Sequence, residues 1–340
     1  MKKKTFFKKL TLPLLLVIAL FFFLLGYRYY NLYRFHLEKR TRFMMDTYVT
    51  IYAIGPKSIS LPAINSALNR MQEVDTKFNS QNPLSAVYAF NHQGVPITDG
   101  EILEVVHLAL QIAQDSDGAF DITVAPLIDL WGFYGKSPHL PTKAEISDCL
   151  SKVGYGYLVL KDHRLEKSKA GVMIDLGGIA KGYAIREAAR VLKKEGVTSA
   201  LIDAGGDVHA IGKKGRDLWK IGLRSPRGDD ILGYVEVEDL AVMGSGDYER
   251  FFIKNDIRYH HIFNPKTGYP VQGVSSTTLI HPDPMVADAW NTAIYVLGPD
   301  KGLKFAERIA EMEALMVTAS GEITYTSGLK NALYTVKEEK

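Results

Sequence analysis

The chain has 340 residues, which is enough for one large domain or two closely associated ones. Hydrophobic residues make up 46% and charged residues 23%, as is typical of a globular fold with a full core. The net charge of +3, with its clearest lysine cluster in the first nine residues, argues against a nucleic-acid-binding protein. The single cysteine, Cys149, excludes an internal disulfide and a cysteine-rich metal cluster.

The N-terminal residues have the pattern of a membrane anchor. Residues 1–9 contain five lysines, and residues 10–26 form an uncharged apolar run at the short end of the membrane-spanning range. Lysines before such a run predict a cytoplasmic N-terminus and place the rest of the chain on the extracytoplasmic side of the cell membrane. We interpret 10–26 as an uncleaved, single-pass transmembrane signal anchor, with a cleaved signal peptide as the alternative. Residues 27–40 are interpreted as a juxtamembrane linker and 41–337 as the globular domain.

Strand and helix patterns alternate irregularly along the globular part. Side-chain type and apolar spacing predict a strand at 47–54, helices at 63–78, 100–114 (capped by Asp99), 142–153 and 178–194, and two strands around a glycine turn at 200–211. Further strands are predicted near 218–224, 232–238, 241–244 and 274–281, followed by helices at 285–297 and 299–312 and a strand pair within 314–336. Several strands are close neighbours, which favours an α+β fold with mixed or antiparallel sheets and packed helices.

The segment 174–182 combines the end of an apolar strand, Asp175, two glycines and the start of a helix. Glycines let a ligand approach the backbone closely. A helix N-terminus offers free N–H groups and a partial positive charge, which suit a phosphate or pyrophosphate. The same residues could instead form only a tight turn that Asp175 caps, and the local pattern does not decide between these interpretations.

Two further patterns contain residues suited to metal and proton chemistry. Asp288 and Thr292 lie one helical turn apart, and both offer the hard oxygen ligands that Mg²⁺ prefers. The alternative is a helix cap and a buried hydroxyl. His261 precedes a turn at 264–268, where a strand end could present it to a cleft as a proton shuttle, or where it could be structural.

Seven ordered stretches of the chain resemble the ApbE family, the FAD:protein FMN transferases. The stretches are Met45–Thr47, 117–133, 174–192, 201–212, 244–252, 261–271 and 286–298. The family often has glycine at the position of Asp46. The resemblance implies a core similar to T-fold barrels, FAD as the donor substrate, Mg²⁺ with Mn²⁺ as an alternative, and a Thr or Ser acceptor on a membrane-bound or exported redox protein.

The resemblance also implies roles for individual residues. It implies that the metal ligands are the Gly178 carbonyl, Asp288 and Thr292, and that His261 is catalytic. It further implies that the FAD site is lined by Met45, Phe120, Asp121, Ile122, Asp175, Lys181 and Ile262. Two other functions remain open at this point: an FAD pyrophosphatase that yields FMN and AMP, and a non-catalytic FAD-binding surface protein.

Overall fold

The computed structural model describes residues 3–33, 35–135, 137–228 and 230–335. The helices in these ranges are α1 Lys3–Tyr33, α2 Lys57–Phe78, α3 Ala86–Gln93, α4 Gly100–Asp115, α5 Ala125–Leu130, α6 Lys143–Leu150, α7 Ala180–Lys194 and α8 Pro284–Ala306. The strands are β1 Phe35–Met44, β2 Thr47–Pro56, β3 Leu158–Lys161, β4 Arg164–Lys167, β5 Ala200–Ala204, β6 Asp207–Ile211, β7 Trp219–Arg224, β8 Ile231–Val237, β9 Ala241–Gly246, β10 Phe251–Lys254, β11 Ile257–His260, β12 Val274–His281, β13 Glu313–Thr318, β14 Ile323–Tyr325 and β15 Leu333–Thr335.

Eight strands form one antiparallel sheet in the order β1-β2-β5-β6-β9-β12-β13-β14. Helices α2, α7 and α8 pack together on one face, where they share the main hydrophobic core with the sheet. The smaller sheet β15-β8-β7 contributes to a second core with residues from the other face, such as Val208 and Leu315. The central strands are therefore buried on both faces, and strand ends and turns are left to form a site.

The structure confirms the predicted α+β class, with antiparallel pairing throughout the described strands. The Asp99 side chain caps α4 by accepting hydrogen bonds from the N–H groups of Glu101 and Ile102. A kink at Gly298, where φ is 74°, divides α8 where the sequence predicts two helices. The similarity to T-fold barrels stays a prediction.

The interpretation of residues 27–40 as a linker is wrong. Helix α1 extends to Tyr33, and β1 pairs with β2 along its whole length, from Phe35 opposite Pro56 to Met44 opposite Thr47. The strand is an edge strand, and charged side chains are the usual protection of such edges against unwanted pairing. Because β1 contains these charged residues, its sequence did not show the pattern of a strand.

The predicted transmembrane helix at 10–26 is not confirmed. These residues lie within α1, but among the described residues no helix combines the length and apolarity that crossing a membrane requires.

Candidate functional site

Helices α7 and α8 are in close contact at Gly182. A Cβ atom added there would overlap the Pro284 carbonyl oxygen and lie only 2.7 Å from Asp288 Cβ. The Gly182 N–H donates a 2.8 Å hydrogen bond to Asp288 Oδ2. The absence of a side chain on α7 therefore fixes the position of a carboxylate on α8.

We expect Gly182→Ala to destabilise the protein by about 3 kcal/mol, because overpacking a closely packed contact costs roughly 1–3 kcal/mol or more. Chemical denaturation, followed through the loss of secondary structure, measures this decrease in the free energy of unfolding. Gly100→Ala is the matched control, because Gly100 begins α4 and an added Cβ would meet no atom within 4 Å. Equal stability of the two variants would show that the helix crossing tolerates a methyl group.

Gly178, two residues before the start of α7, faces α8 one turn beyond Asp288. A Cβ on Gly178 would lie 3.3 Å from Thr292 Oγ1 and 3.2 Å from the ring of Phe120. The structure thus brings Gly178, Thr292 and Phe120 together, as the sequence predicts, with Asp288 on the adjoining turn of α8.

Asp288 is a buried carboxylate with little compensating charge. Burial raises its pKa to about 7, Asp207 adds to this rise, and Lys181 opposes it. A buried carboxylate favours a cation nearby, because removing its charge from water is costly. The described residues contain no group of three His, Cys, Asp or Glu side chains that could hold a metal. A metal here would rest on one carboxylate, one hydroxyl and backbone oxygen, and this sparse oxygen set fits Mg²⁺, which usually retains waters and binds substrate phosphates.

Lys181 joins α7 to the first residue of β6. Its Nζ lies 2.6 Å from Asp207 Oδ2, and Asp207 Oδ1 accepts a 2.7 Å hydrogen bond from the Gly244 N–H. Asp207 raises the pKa of Lys181, while burial opposes this rise. Asp207 is not among the residues predicted for the site, although it directly follows the predicted glycine turn. It fixes the Lys181 ammonium next to the α7–α8 crossing.

The turn between β1 and β2 borders the same region. Met45 and Asp46 both have left-handed backbone conformations, with φ of 52° and 58°. Asp75 Oδ2 accepts a 3.1 Å hydrogen bond from the Met45 N–H, and Thr47 packs so tightly against Gly205 that no side chain fits there. Glycine adopts a left-handed conformation most easily and aspartate tolerates it, so Asp46 fits a position where the family often has glycine.

Asp175 lies at the centre of a hydrogen-bond network. Its Oδ2 accepts bonds from the hydroxyls of Tyr134 (2.6 Å) and Ser80 (3.1 Å), and its Oδ1 accepts one from the Gly177 N–H (2.8 Å). Its own N–H donates to the Ile122 carbonyl oxygen at 2.7 Å. The sequence predicted Asp175 and Ile122 but not Tyr134 or Ser80, because partners so distant in the chain leave no local pattern.

Asp121 has a mainly structural environment. Its Oδ1 accepts hydrogen bonds from the N–H and hydroxyl of Thr123, at 2.8 and 2.6 Å, and its Oδ2 accepts one from the Tyr155 N–H at 2.8 Å. Burial raises the pKa of Asp121, and these bonds oppose the rise. The carboxylate therefore shapes the segment that presents Phe120 and Ile122, and both of its oxygens already have partners.

His261 follows the β10–β11 hairpin. Its N–H donates a 3.1 Å hydrogen bond to the Arg250 carbonyl oxygen, and Ile262 beyond it is buried. The neighbouring His260 is also buried, where its Nε2 donates to the Val271 carbonyl oxygen at 2.7 Å and its Nδ1 accepts from the Ile262 N–H at 3.2 Å. His260 is thus structural, and His261 is the half-buried member of the pair.

An aromatic cluster packs against this hairpin. Trp131 is fully buried, and its Nε1 donates a 3.0 Å hydrogen bond to the Gly268 carbonyl oxygen. Its ring contacts the rings of Phe252, Tyr259, Phe263 and Tyr269. The cluster therefore holds the hairpin and the 264–268 turn in fixed positions relative to the segment that follows α5.

Electrostatics connect His261 to the α7–α8 crossing. Burial lowers the pKa of His261 well below its usual range, and Arg250, His260 and Lys181 lower it further. Lys181 also opposes the raised pKa of Asp288, which burial mainly causes. Lys181 therefore lies within electrostatic reach of both. His261 is neutral near pH 7, as a proton acceptor must be.

Comparisons with known proteins agree on one family. A family model described as "ApbE family" matches residues 45–316. The chain is 32% identical to an FAD:protein FMN transferase of Klebsiella pneumoniae over 72% of this chain and 78% of that protein. It is 28% identical to one of Treponema pallidum over 83% of this chain and 84% of that protein.

Solved structures give the same result. The chain resembles the crystal structure of the ApbE protein from Thermotoga maritima with a TM-score of 0.82 and 35% identity, over 87% of this chain and 99% of that one. The flavin transferase ApbE from Vibrio cholerae matches with a TM-score of 0.78 and 26% identity, again over 87% and 99%.

Proposed function

The chain belongs to the ApbE family, and on this basis we propose that it transfers the FMN part of FAD to a Thr or Ser hydroxyl of an acceptor protein and releases AMP. The observation that carries the proposal is the convergence of Gly178, Asp288 and Thr292 at the start of α7, with Lys181 linking them electrostatically to His261. Oxygen ligands next to a helix N-terminus suit a pyrophosphate and its cation.

We further propose that three residues of this chain are ligands of the metal ion. The Gly178 carbonyl, the Asp288 carboxylate and the Thr292 hydroxyl would hold Mg²⁺, or Mn²⁺ in its place. When bound, the ion would neutralise phosphate charge and polarise phosphorus. The proposal draws support from the close approach of Gly178 to Thr292 and from the burial of the Asp288 carboxylate.

The chain's own residues supply binding, orientation and proton transfer. Phe120, Ile122 and Ile262 are buried apolar side chains that would pack behind the flavin ring, and Met45 borders the site through its hairpin turn. The acceptor oxygen forms a bond to the FMN-side phosphorus, and the bond from that phosphorus to the bridging oxygen breaks. His261 accepts the hydroxyl proton, and AMP leaves with the bridging oxygen.

Two alternatives share parts of this site. With water in place of the acceptor hydroxyl, the same arrangement would hydrolyse FAD to FMN and AMP. A non-catalytic FAD-binding protein needs no oxygen ligands for a cation at the pyrophosphate, so the Asp288–Thr292 arrangement favours catalysis.

Intact-mass analysis tests the proposal directly. Exported and membrane-bound redox proteins are incubated with the enzyme, FAD and Mg²⁺. We expect one or more of them to gain the mass of FMN minus water, together with an equal amount of AMP. AMP without any mass gain would indicate hydrolysis, and bound FAD without AMP would indicate a binding protein.

The location of the domain outside the cytoplasm is also a proposal, which rests on the N-terminal sequence and on the acceptors expected for the family. Lysines precede the apolar run at 10–26, and the acceptors expected for this family are membrane-bound or exported. Protease digestion of intact spheroplasts tests it, since a cytoplasmic domain would be protected.

A further inference from the structure

Arg250 occupies the position opposite His261 at the open end of the β10–β11 hairpin. The last hydrogen-bonded pair of the hairpin is Phe251 opposite His260. One step further, the His261 N–H donates to the Arg250 carbonyl oxygen at 3.1 Å. The imidazole of His261 also lies against Arg250, with its Nδ1 3.4 Å from the Arg250 carbonyl oxygen. The two residues are therefore direct neighbours where the hairpin ends.

Among the described residues, Arg250 differs from the arginines around it because its charge has no carboxylate partner. Arg227 forms two 2.7 Å hydrogen bonds with Asp247, and Arg258 stacks over the ring of Phe251. The side chain of Arg250 is exposed, and within the described parts of the chain it has no hydrogen-bond or ion-pair partner. A free cation beside the proposed base is available to bind an anion.

The positive charge of Arg250 affects the pKa values of groups near the start of α7. Burial lowers the pKa of His261, and Arg250 is the next largest cause. Burial and Asp175 raise the pKa of Tyr134, and Arg250 opposes that rise. Tyr134 donates its 2.6 Å hydrogen bond to Asp175, which precedes the glycines of the proposed pyrophosphate site. The charge of the guanidinium therefore acts both on His261 and on Tyr134, which is hydrogen-bonded to Asp175.

We propose that Arg250 binds the FMN-side phosphate of FAD and stabilises the negative charge that develops on its oxygens during transfer. This inference rests on the proposed function. Arginine presents a planar fork of N–H donors that matches a phosphate with two parallel hydrogen bonds. In this step the acceptor proton moves to His261, and AMP leaves with the bridging oxygen. The alternative is a solvated surface arginine without a ligand.

Arg250→Ala tests this role by comparing two ligands. FAD carries the phosphates and riboflavin carries none, and quenching of flavin fluorescence or calorimetry measures the affinity of each. We expect FAD to bind about 10-fold or more weakly, as the loss of a charge-assisted hydrogen bond implies, with no change for riboflavin. We expect AMP release to fall about 100-fold, as for other groups that stabilise transition-state charge. Guanidinium chloride should restore part of this loss, and an equal concentration of sodium chloride should not.

Lys254→Ala is the matched control, because Lys254 is an exposed cation at the far tip of the same hairpin. It should leave both affinities and AMP release unchanged, and Arg250→Lys should retain part of the function. Unchanged FAD affinity in Arg250→Ala, or an equal loss for riboflavin, would overturn the proposal. If the wild-type protein binds FAD but never releases AMP, the proposed transferase function fails, and the comparison of FAD with riboflavin still decides the role of Arg250.

Discussion

Replacement of Asp288 with asparagine should reduce metal-dependent FMN transfer about 1000-fold. Asparagine keeps the size of the side chain and can still accept the hydrogen bond from the Gly182 N–H. It removes only the negative charge, and with it the one carboxylate among the proposed metal ligands. A metal that stabilises charge at phosphorus contributes several kcal/mol, which corresponds to about three orders of magnitude in rate.

Thermal unfolding separates this loss of charge from a loss of structure. Mg²⁺ with FAD should raise the melting temperature of the wild-type protein, because a ligand that binds only the folded state stabilises it. Asp288→Asn should abolish this rise. It should not lower the melting temperature without ligands, because burial already raises the pKa of Asp288 and so favours a neutral group there.

Asp300→Asn is the matched control, because Asp300 is exposed on the same helix beyond the Gly298 kink. We expect the wild-type rate and the wild-type response to Mg²⁺. Persistence of the Mg²⁺-induced stabilisation in Asp288→Asn would exclude this carboxylate as a ligand.

The sequence could predict the parts of the site that lie within one element. Asp288 and Thr292 share a helix face because they are four residues apart, and Asp175 and Gly178 stand at a recognisable strand–helix junction. Spacing along the chain reports such local geometry directly. The order of the motifs indicated the family, and the family model confirms it.

The remaining parts depend on contacts between distant segments. Asp207 reaches Lys181, and Tyr134 and Ser80 reach Asp175, across 26, 41 and 95 positions of the chain. No periodicity records such contacts, because packing of the completed fold creates them.

Strand β1 was misread for a different physical reason. Where helices or another sheet cover one face of a strand, the side chains on that face are buried. Apolar and polar residues then alternate along the sequence of the strand. An edge strand is under less pressure to bury its side chains, so β1 kept charged residues such as Arg40 and Arg42 and looked like a linker.

Replacement of His261 with glutamine should lower FMN transfer between about 100-fold and 10,000-fold, the usual range for a lost general base. FAD affinity should stay within twofold of the wild-type value, because this role concerns the acceptor proton and not the binding of the phosphate. The matched control is His107→Gln, which changes an exposed histidine on α4 and should leave the rate unchanged.

The pH dependence of transfer gives a second, independent measurement. Only the neutral imidazole can accept the proton, and this form predominates above the pKa of His261. Because burial and Arg250 lower that pKa well below 6.5, the wild-type rate at saturating Mg²⁺, which keeps Asp288 ionised, should not fall as the pH decreases from 8 to 6.5, and its decline should begin only in more acidic solution. His261→Gln should lack this acidic decline. A wild-type decline centred at or above pH 6.5, or a variant that retains the decline, would show that another group accepts the proton.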